Sequence, residues 1–365
     1  MKVCHFTSAH ESTDNRIFEK ECKSLAKNGY DVYLVASGES RLEDGVTVVG
    51  MKNKPASRVR RLVFFAHKVY RTALDLDCDI YHFHDPELLP YGLKLKSKGK
   101  KVIFDSHEQY SDQIAVKSYL GKIAPVISRI YSTYEDHVLK KIDGVIFPCT
   151  IYGKNPFEGK CRNIEIISNA PRLEELYNEY DPDAEKIENS ICYLGSLSES
   201  RGLTLLKNAA EKAKATLVLA GPFSPKEYEK EITASESVKY LGILNREGIK
   251  DTIQKCKVGM SLLRNVGQYY KIDTLSTKIY EYMSLAVPVI MQDSPYSIKV
   301  NEEFDFGICV DPENEEEVVR AITELLSNPE KIKRLGSNGR KAVKEHFNWG
   351  VDEKRLLDLY KRVMN

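Results

Sequence analysis

Neither sign of charge is in excess in this 365-residue chain: 54 Lys and Arg stand against 53 Asp and Glu, a formal net charge of +1. No overall field draws it toward nucleic acid, and an electrostatic partner must be met by a local patch. The eight cysteines include no C-x-x-C pair and sit mostly in apolar runs, such as Cys4 in KVCHF and Cys192 in SICYLG. That argues against a disulfide frame or zinc knuckle and fits buried thiols in a reducing compartment. No stretch approaches the ~18 apolar residues needed to span a bilayer. The start, MKVCHFTSAHESTD, turns polar too soon for a secretory signal. The expectation is a cytoplasmic protein that is not integral to a membrane. Also missing are G-x-G-x-x-G after a strand and G-x-x-x-x-G-K-[ST], which sets aside nicotinamide dehydrogenases and P-loop nucleotidases.

What is present is alternation. KVCHFT, DVYLVA, GVTVVG, DIYHFH, KVIFD and GVIFPC read as strands, with helical patterns between them such as Ile17, Phe18, Cys22, Leu25 and Ala26. A second series follows: SICYLG, ATLVLAG, SVKYLG, KVGMSLL, VPVIMQ and FGICVD. Strands alternating with helices imply parallel sheets covered on both faces, and the length implies two domains. The acidic stretch 171–190 reads as a linker. It separates an N-terminal domain, 1–170, from a C-terminal one, 191–346, and a last helix over about 347–365 is expected to pack back on the first. Ligands of open α/β sheets bind outside the strands' carboxyl ends, so the cleft between two such domains is the default site. Asp75, Asp77 and Asp79 form overlapping D-x-D strings but precede a strand, at the wrong end for a ligand, and read as a solvated turn. His82 and His84 share one face of a strand. With no third ligand at a diagnostic spacing, no metal is assigned.

Two stretches carry chemistry. In KIDTLSTKIYEYMSLAVPVI, residues 271–290, a helix should start near Ser276 or Thr277, both good N-cap residues. Lys278 then falls in the first turn, where the helix dipole disfavours a cation unless an anion sits over the exposed N–H groups. Glu281 lies a turn deeper and Asp273 eight residues before it. In CYLGSLSESRGLTLLKNAA, residues 192–210, a strand runs into Gly195 and a helix begins around Arg201-Gly202. Gly195 and Ser196 let a ligand approach the backbone, and Arg201 stands where a diphosphate would reward a cation. An ordinary surface helix with one ill-placed lysine is the alternative.

Gly195 to Gly202, VKYLG at 238–242 and KIYEYMSLAVPVI together resemble the donor-binding domain of the family-4 retaining glycosyltransferases. TDNRIFEKECKSLAKNGYDVYLVA resembles the opening of bacterial members that build capsule, O-antigen or exopolysaccharide. The resemblance implies GT-B architecture, two doubly wound Rossmann-like domains, and a sugar moved from a nucleotide diphosphate with retention of configuration and no metal. It implies contacts of Asp273 with the donor sugar, of Glu281 with the ribose and of Arg201 with the diphosphate. Asp273 replaces a usual glutamate. Ser196 stands where a second cation is common, and Lys278 could supply that charge. In KVIFDSHEQY, His107 matches a histidine near the reaction centre, beside Glu108. SAHESTDNRIF, with His10, Asp14 and Arg16, and the segment from His84 to Glu87 match the acceptor side.

Catalysis by such a site is electrostatic: preorganised cations and helix N-termini stabilise the leaving diphosphate. No cofactor is expected beyond a UDP- or GDP-sugar substrate, and the acceptor is expected to be a sugar or a lipid-linked precursor. A sugar-nucleotide epimerase and a non-catalytic nucleotide-sugar binder are the rival readings. Nucleic acid is not an expected partner; an anionic membrane surface is. Over 57–74, Val59, Leu62, Val63, Ala66, Val69, Tyr70 and Ala73 recur at helical steps, facing the core. Arg58, Arg60, Arg61, Lys68 and Arg71, with Phe64 and Phe65, should face outward, as in an interfacial helix.

Overall fold

The computed structural model describes residues 1–52, 54, 55, 57, 60–115, 118–264 and 270–365. It divides into two compact units: Met1–Asn169 with Gly350–Asn365, and Ala170–Trp349. In the first, an eight-stranded sheet is built from β1 (Lys2–Glu11), β2 (Asp31–Ser37), β3 (Arg41–Glu43), β4 (Val46–Met51), β5 (Ile80–Phe83), β6 (Lys101–Asp105), β7 (Gly144–Phe147) and β8 (Ile164–Ile166). Their order is β3-β4-β2-β1-β5-β6-β7-β8, parallel except for the β3–β4 edge pair. The near-continuous apolar runs explain this, since a strand covered on both faces needs no polar side. Residues of β5 and β7 are buried throughout.

The second unit holds a six-stranded parallel sheet of β9 (Ser190–Leu194), β10 (Thr216–Ala220), β11 (Val238–Tyr240), β12 (Val258–Ser261), β13 (Val289–Gln292) and β14 (Gly307–Val310). Here the order is β11-β10-β9-β12-β13-β14. Each sheet reverses its winding once, between β1 and β5 and between β9 and β12, and ligands of doubly wound sheets favour such points. Two apolar clusters form the second unit's core, one around Ile191, Leu206 and Ile322, the other around Leu194, Ile279 and Phe306.

Two segments differ from the sequence reading. The stretch 171–190 packs on the second unit: Leu176 is fully buried, and the Arg340 guanidinium stacks on Tyr177 and Tyr180 at 3.7 and 4.4 Å. Its acidic composition hid apolar residues that recur every three or four positions. The basic helix, α1 (Ala66–Asp75) with the helical turn Arg61–Phe65 before it, buries Phe65 at 4% exposure but leaves Val63 55% and Phe64 71% exposed. Val63 and Phe65 thus exchange the faces expected of them, because the turn before α1 is wound more widely than an α-helix. Arg58 and Val59 lie outside the described residues.

Candidate functional site

In the second unit, β9 ends at Leu194 and leads into Gly195, whose φ of +135° few side chains tolerate. A Cβ there would lie 3.6 Å from Lys278 Cε and 3.8 Å from Nζ, so the lysine runs directly beneath the glycine. The neighbouring turn closes as tightly: a Cβ on Gly221 would fall 1.9 Å from the Gly195 carbonyl oxygen. Lys278 lies in the first turn of α3 (Thr277–Ser284), the second of the α-helices named here being α2 (Ala124–Leu139). The N-cap residue Ser276 makes no capping bond through its side chain, and its hydroxyl meets Ser261 Oγ at 3.0 Å. Thr277 beside it is exposed.

Among the described residues, the Lys278 ammonium has no hydrogen-bond or ion-pair partner, and it stands 4.8 Å over the Tyr193 ring. Burial, reinforced by the nearby Arg201 charge, pulls its pKa down to about 8. Two nearby cations and a helix start without a side-chain cap make an arrangement that would suit an anion. Arg201 stands directly before the N-cap of a helix, close to the start read from the sequence. It closes a short turn, Glu199–Arg201, and Gly202 at φ +70° leads into the helix Leu203–Lys212.

The remaining donor-side residues are placed more loosely. Ser196 is exposed, its carbonyl accepting a hydrogen bond from the Tyr193 hydroxyl at 3.2 Å. Asp273 ends the short extended segment Ile272–Asp273 and is partly exposed. The Glu281 carboxylate accepts from Arg246 Nη1 at 2.7 Å, and the other guanidinium nitrogen reaches Glu175 at 3.3 Å. Arg246 had no signal in the sequence, because it lies on a different helix.

The first unit assembles a denser cluster at the ends of β1, β5 and β6. Arg16 forks onto Asp105, with Nε to Oδ2 at 2.7 Å and Nη2 to Oδ1 at 3.0 Å. Its third nitrogen donates to the carbonyls of Ile167 and Ser168. Arg16 is buried and its donors are used within the unit, so it supports the cluster from below instead of facing an acceptor. His84 is likewise fully buried, with Nδ1 3.3 Å from Asp105 Oδ2. His107 Nε2 lies 3.1 Å from the same oxygen and is partly exposed. The His10 ring is 4.8 Å from that of His107, and its Nδ1 meets Asp14 at 2.9 Å. Burial would lower the His10 pKa, but Asp14, Asp85 and Asp105 outweigh it and raise it. Asp14 also caps the following helical turn through Arg16 N and Ile17 N, and is held well below the usual carboxylate range. Glu108 is partly exposed beside His107. Asp85 accepts from the Thr7 hydroxyl and Ser8 N at 2.8 and 2.6 Å, fixing the second half of β1.

Sequence reasoning missed Asp105, Glu21, His5 and Tyr360, which complete this cluster. His82 and His84 lacked further ligands by spacing, yet the fold sets His5 and Glu21 beside them. His5, Glu21, His82 and His84 form one group able to hold a metal ion, and His84, Asp105 and His107 another. Asp75, Asp77 and Asp79 do form the turn from α1 to β5, with Asp77 at φ +48°.

The family described as "Glycosyltransferase Family 4" matches residues 16–183, and "Glycosyl transferases group 1" matches 179–342. The O-antigen chain mannosyltransferase C of Escherichia coli is 22% identical over 288 residues, 75% of this chain and 72% of that protein. Among solved structures, sucrose-phosphate synthase from Thermosynechococcus elongatus superposes with a TM-score of 0.77 at 16% identity, covering 100% of this chain and 99% of that one. The Anabaena protein HepE, solved with UDP and glucose, gives 0.70 at 14% identity, covering 99% of each.

Proposed function

As a member of the family-4 glycosyltransferases with GT-B architecture, the chain is a glycosyltransferase, and we propose that it moves a sugar from a UDP- or GDP-sugar to a sugar or lipid-linked acceptor with retention of configuration. The observation that carries this reading is the Lys278 ammonium beneath Gly195, without a hydrogen-bond or ion-pair partner among the described residues, near Arg201 and a helix start that lacks a side-chain cap. A diphosphate is the anion that such a floor suits: two cations offer charge-assisted bonds and the helix N-terminus offers N–H groups.

As the sugar–phosphate bond breaks, negative charge grows on the diphosphate while the sugar becomes oxocarbenium-like. Arg201, Lys278 and the amides at Ser276 and Thr277 stabilise that growing charge, a task they perform without a metal ion. Glu281 binds the ribose, Asp273 the donor sugar, and His107 serves the reaction centre. The UDP bound to the Anabaena relative and the mannosyltransferase activity in the Escherichia coli relative's name support a nucleotide-sugar donor and a surface-polysaccharide product. The basic helix with its exposed Phe64 supports contact with an anionic membrane, where a lipid-linked acceptor would be met.

Calorimetric titration with UDP and GDP, followed by product analysis with the matching sugar nucleotides, tests the reading. Saturable binding and transfer to an acceptor are expected, with the donor's anomeric configuration kept in the product. Conversion of the sugar nucleotide with no acceptor present would turn the assignment to an epimerase.

A further inference from the structure

Beneath His107, three buried histidines and a tyrosine do nothing in the mechanism above. Their order is set by the sheet. His5 of β1 stands in register with His82 of β5, and His84 follows two residues later on the same face. The rings lie close accordingly: His5 and His82 are tilted with centroids 4.3 Å apart, and His82 and His84 stack at 4.7 Å. Tyr360, from the chain's last helix, places its hydroxyl 2.8 Å from His82 Nδ1 and 3.0 Å from His5 Nε2. His5 Nδ1 then meets His84 Nε2 at 3.1 Å, and His84 Nδ1 meets Asp105 Oδ2 at 3.3 Å.

Only one set of proton positions satisfies all four contacts. His5, His82 and His84 are fully buried with ring centroids 4.3 to 5.3 Å apart, an enclosure where neighbouring positive charges are disfavoured, so each ring is taken as neutral with a single N–H. Asp105 receives both prongs of the Arg16 guanidinium, a two-bond charge pairing that keeps its carboxylate ionised. An ionised Asp105 can only accept, so His84 Nδ1 is its donor and His84 Nε2 carries a lone pair. His5 must then donate from Nδ1 and accept at Nε2 from the Tyr360 hydroxyl, whose oxygen accepts from His82 Nδ1. At the far end of the relay, His82 Nε2 is buried without a hydrogen-bond partner among the described residues. This direction leaves it a bare lone pair, and the reverse would strand an N–H there.

We propose that His82, Tyr360, His5 and His84 form a one-way hydrogen-bond relay that ends on Asp105 and fixes the orientation and tautomer of His107. His107 Nε2–H and His84 Nδ1–H share Asp105 Oδ2, so their 3.4 Å contact joins two donors on one acceptor. His107 thereby presents Nδ1 away from the relay. Tyr360 is a positioning residue, acting through three others on a histidine in another part of the sequence. The functional half of this inference rests on the role given to His107 above.

The test uses the full chain labelled with ¹⁵N-histidine, which gives eight side-chain sites. Three neutral rings protonated on Nδ1 alone are expected, and Tyr360→Phe should shift the signals of His5, His82 and His107 while keeping the ring that fills the core. In an acceptor assay the same variant should lower turnover by about tenfold, short of the roughly hundredfold that a proton-transfer group contributes, with the donor KM unchanged. Protonation on Nε2 in any of the three would overturn the relay. So would zinc-shifted imidazole signals on adding Zn²⁺, since a metal held by His5, Glu21, His82 and His84 displaces those bonds. An unmoved His107 signal in Tyr360→Phe overturns it equally. If that signal moves but His107→Ala keeps full turnover, the relay stands and the role of His107 in the reaction falls.

Discussion

Lys278 illustrates how one side chain can be read from sequence by its misplacement. A cation in the first turn of a helix opposes the dipole, and that conflict marked the position before any geometry was known. Its partners were less legible. Arg201 came from a second motif, whereas Asp105, Tyr360 and Arg246 sit far along the chain from what they touch and leave no periodic trace. We expect Lys278→Ala and Arg201→Ala each to weaken nucleoside diphosphate binding by ~1.5–3 kcal/mol, the scale of a hydrogen bond to a charged group. Calorimetry with the free nucleotide reads this, and unchanged affinity in both would remove the site. The lowered pKa adds a pH signature with two opposite signs. Nucleotide affinity should fall as pH rises through about 8, because the ammonium is lost. The unliganded chain should instead gain stability from about pH 8 up toward the ordinary lysine value, because the folded state has the lower pKa and the unfolded chain binds more protons there. Both trends should vanish in Lys278→Met, as measured by titration and by denaturant unfolding across that range.

The strands were the most legible elements. Each apolar run of the two alternating series lies on a strand of the sheets, since period and composition agree there. The edge strands β3 and β8, three residues each, were not read, being too short for a pattern. Where two tight turns meet, at Gly195 and Gly221, sequence gave the glycines but not their closeness. Gly221→Ala combines left-handed backbone strain with a clash on the Gly195 carbonyl. A loss of ~2–5 kcal/mol in thermal or denaturant unfolding is expected. Helical phase was legible only to within a residue around 61–65, which exchanged Val63 and Phe65. On the membrane reading, the single exposed phenylalanine carries more weight than the pair. A second exposed stripe lies on α2, Val126, Ile130 and Tyr134 at four-residue steps, flanked by Arg129 and His137. Sedimentation with anionic vesicles should therefore exceed that with neutral ones and weaken with salt. Phe64→Ala should lower it roughly tenfold, in line with ~1.5–3 kcal/mol for a buried phenylalanine. Equal, negligible binding to both vesicle types would leave the chain a transferase that meets its acceptor elsewhere.

At the scale of the molecule, each unit has its own sheet and a contact network of its own. Two domains were legible from length and from the two series of strands, whereas the packing of 171–190 was hidden by its charge. The donor-side residues Gly195, Arg201, Lys278 and Glu281 all belong to the second unit. UDP or GDP at ~100 times its dissociation constant should then stabilise that unit by about 2.7 kcal/mol. Hydrogen exchange should show the protection rising in β9, β12 and α3 first. The first unit is discontinuous: Leu356, Leu359, Tyr360 and Val363 of its last helix are buried, the last two side chains over Gly144 being Leu359 and Val363. This has a consequence for synthesis on the ribosome. An N-terminal domain ordinarily completes its fold while the rest of the chain is still being made. Here all of Ala170–Trp349 is translated before the residues that close the first core exist. At roughly 5–20 residues per second, the nascent first unit waits about ten to forty seconds with the groove for that helix open, and a message cut short after Trp349 yields a whole second unit joined to a first that cannot finish.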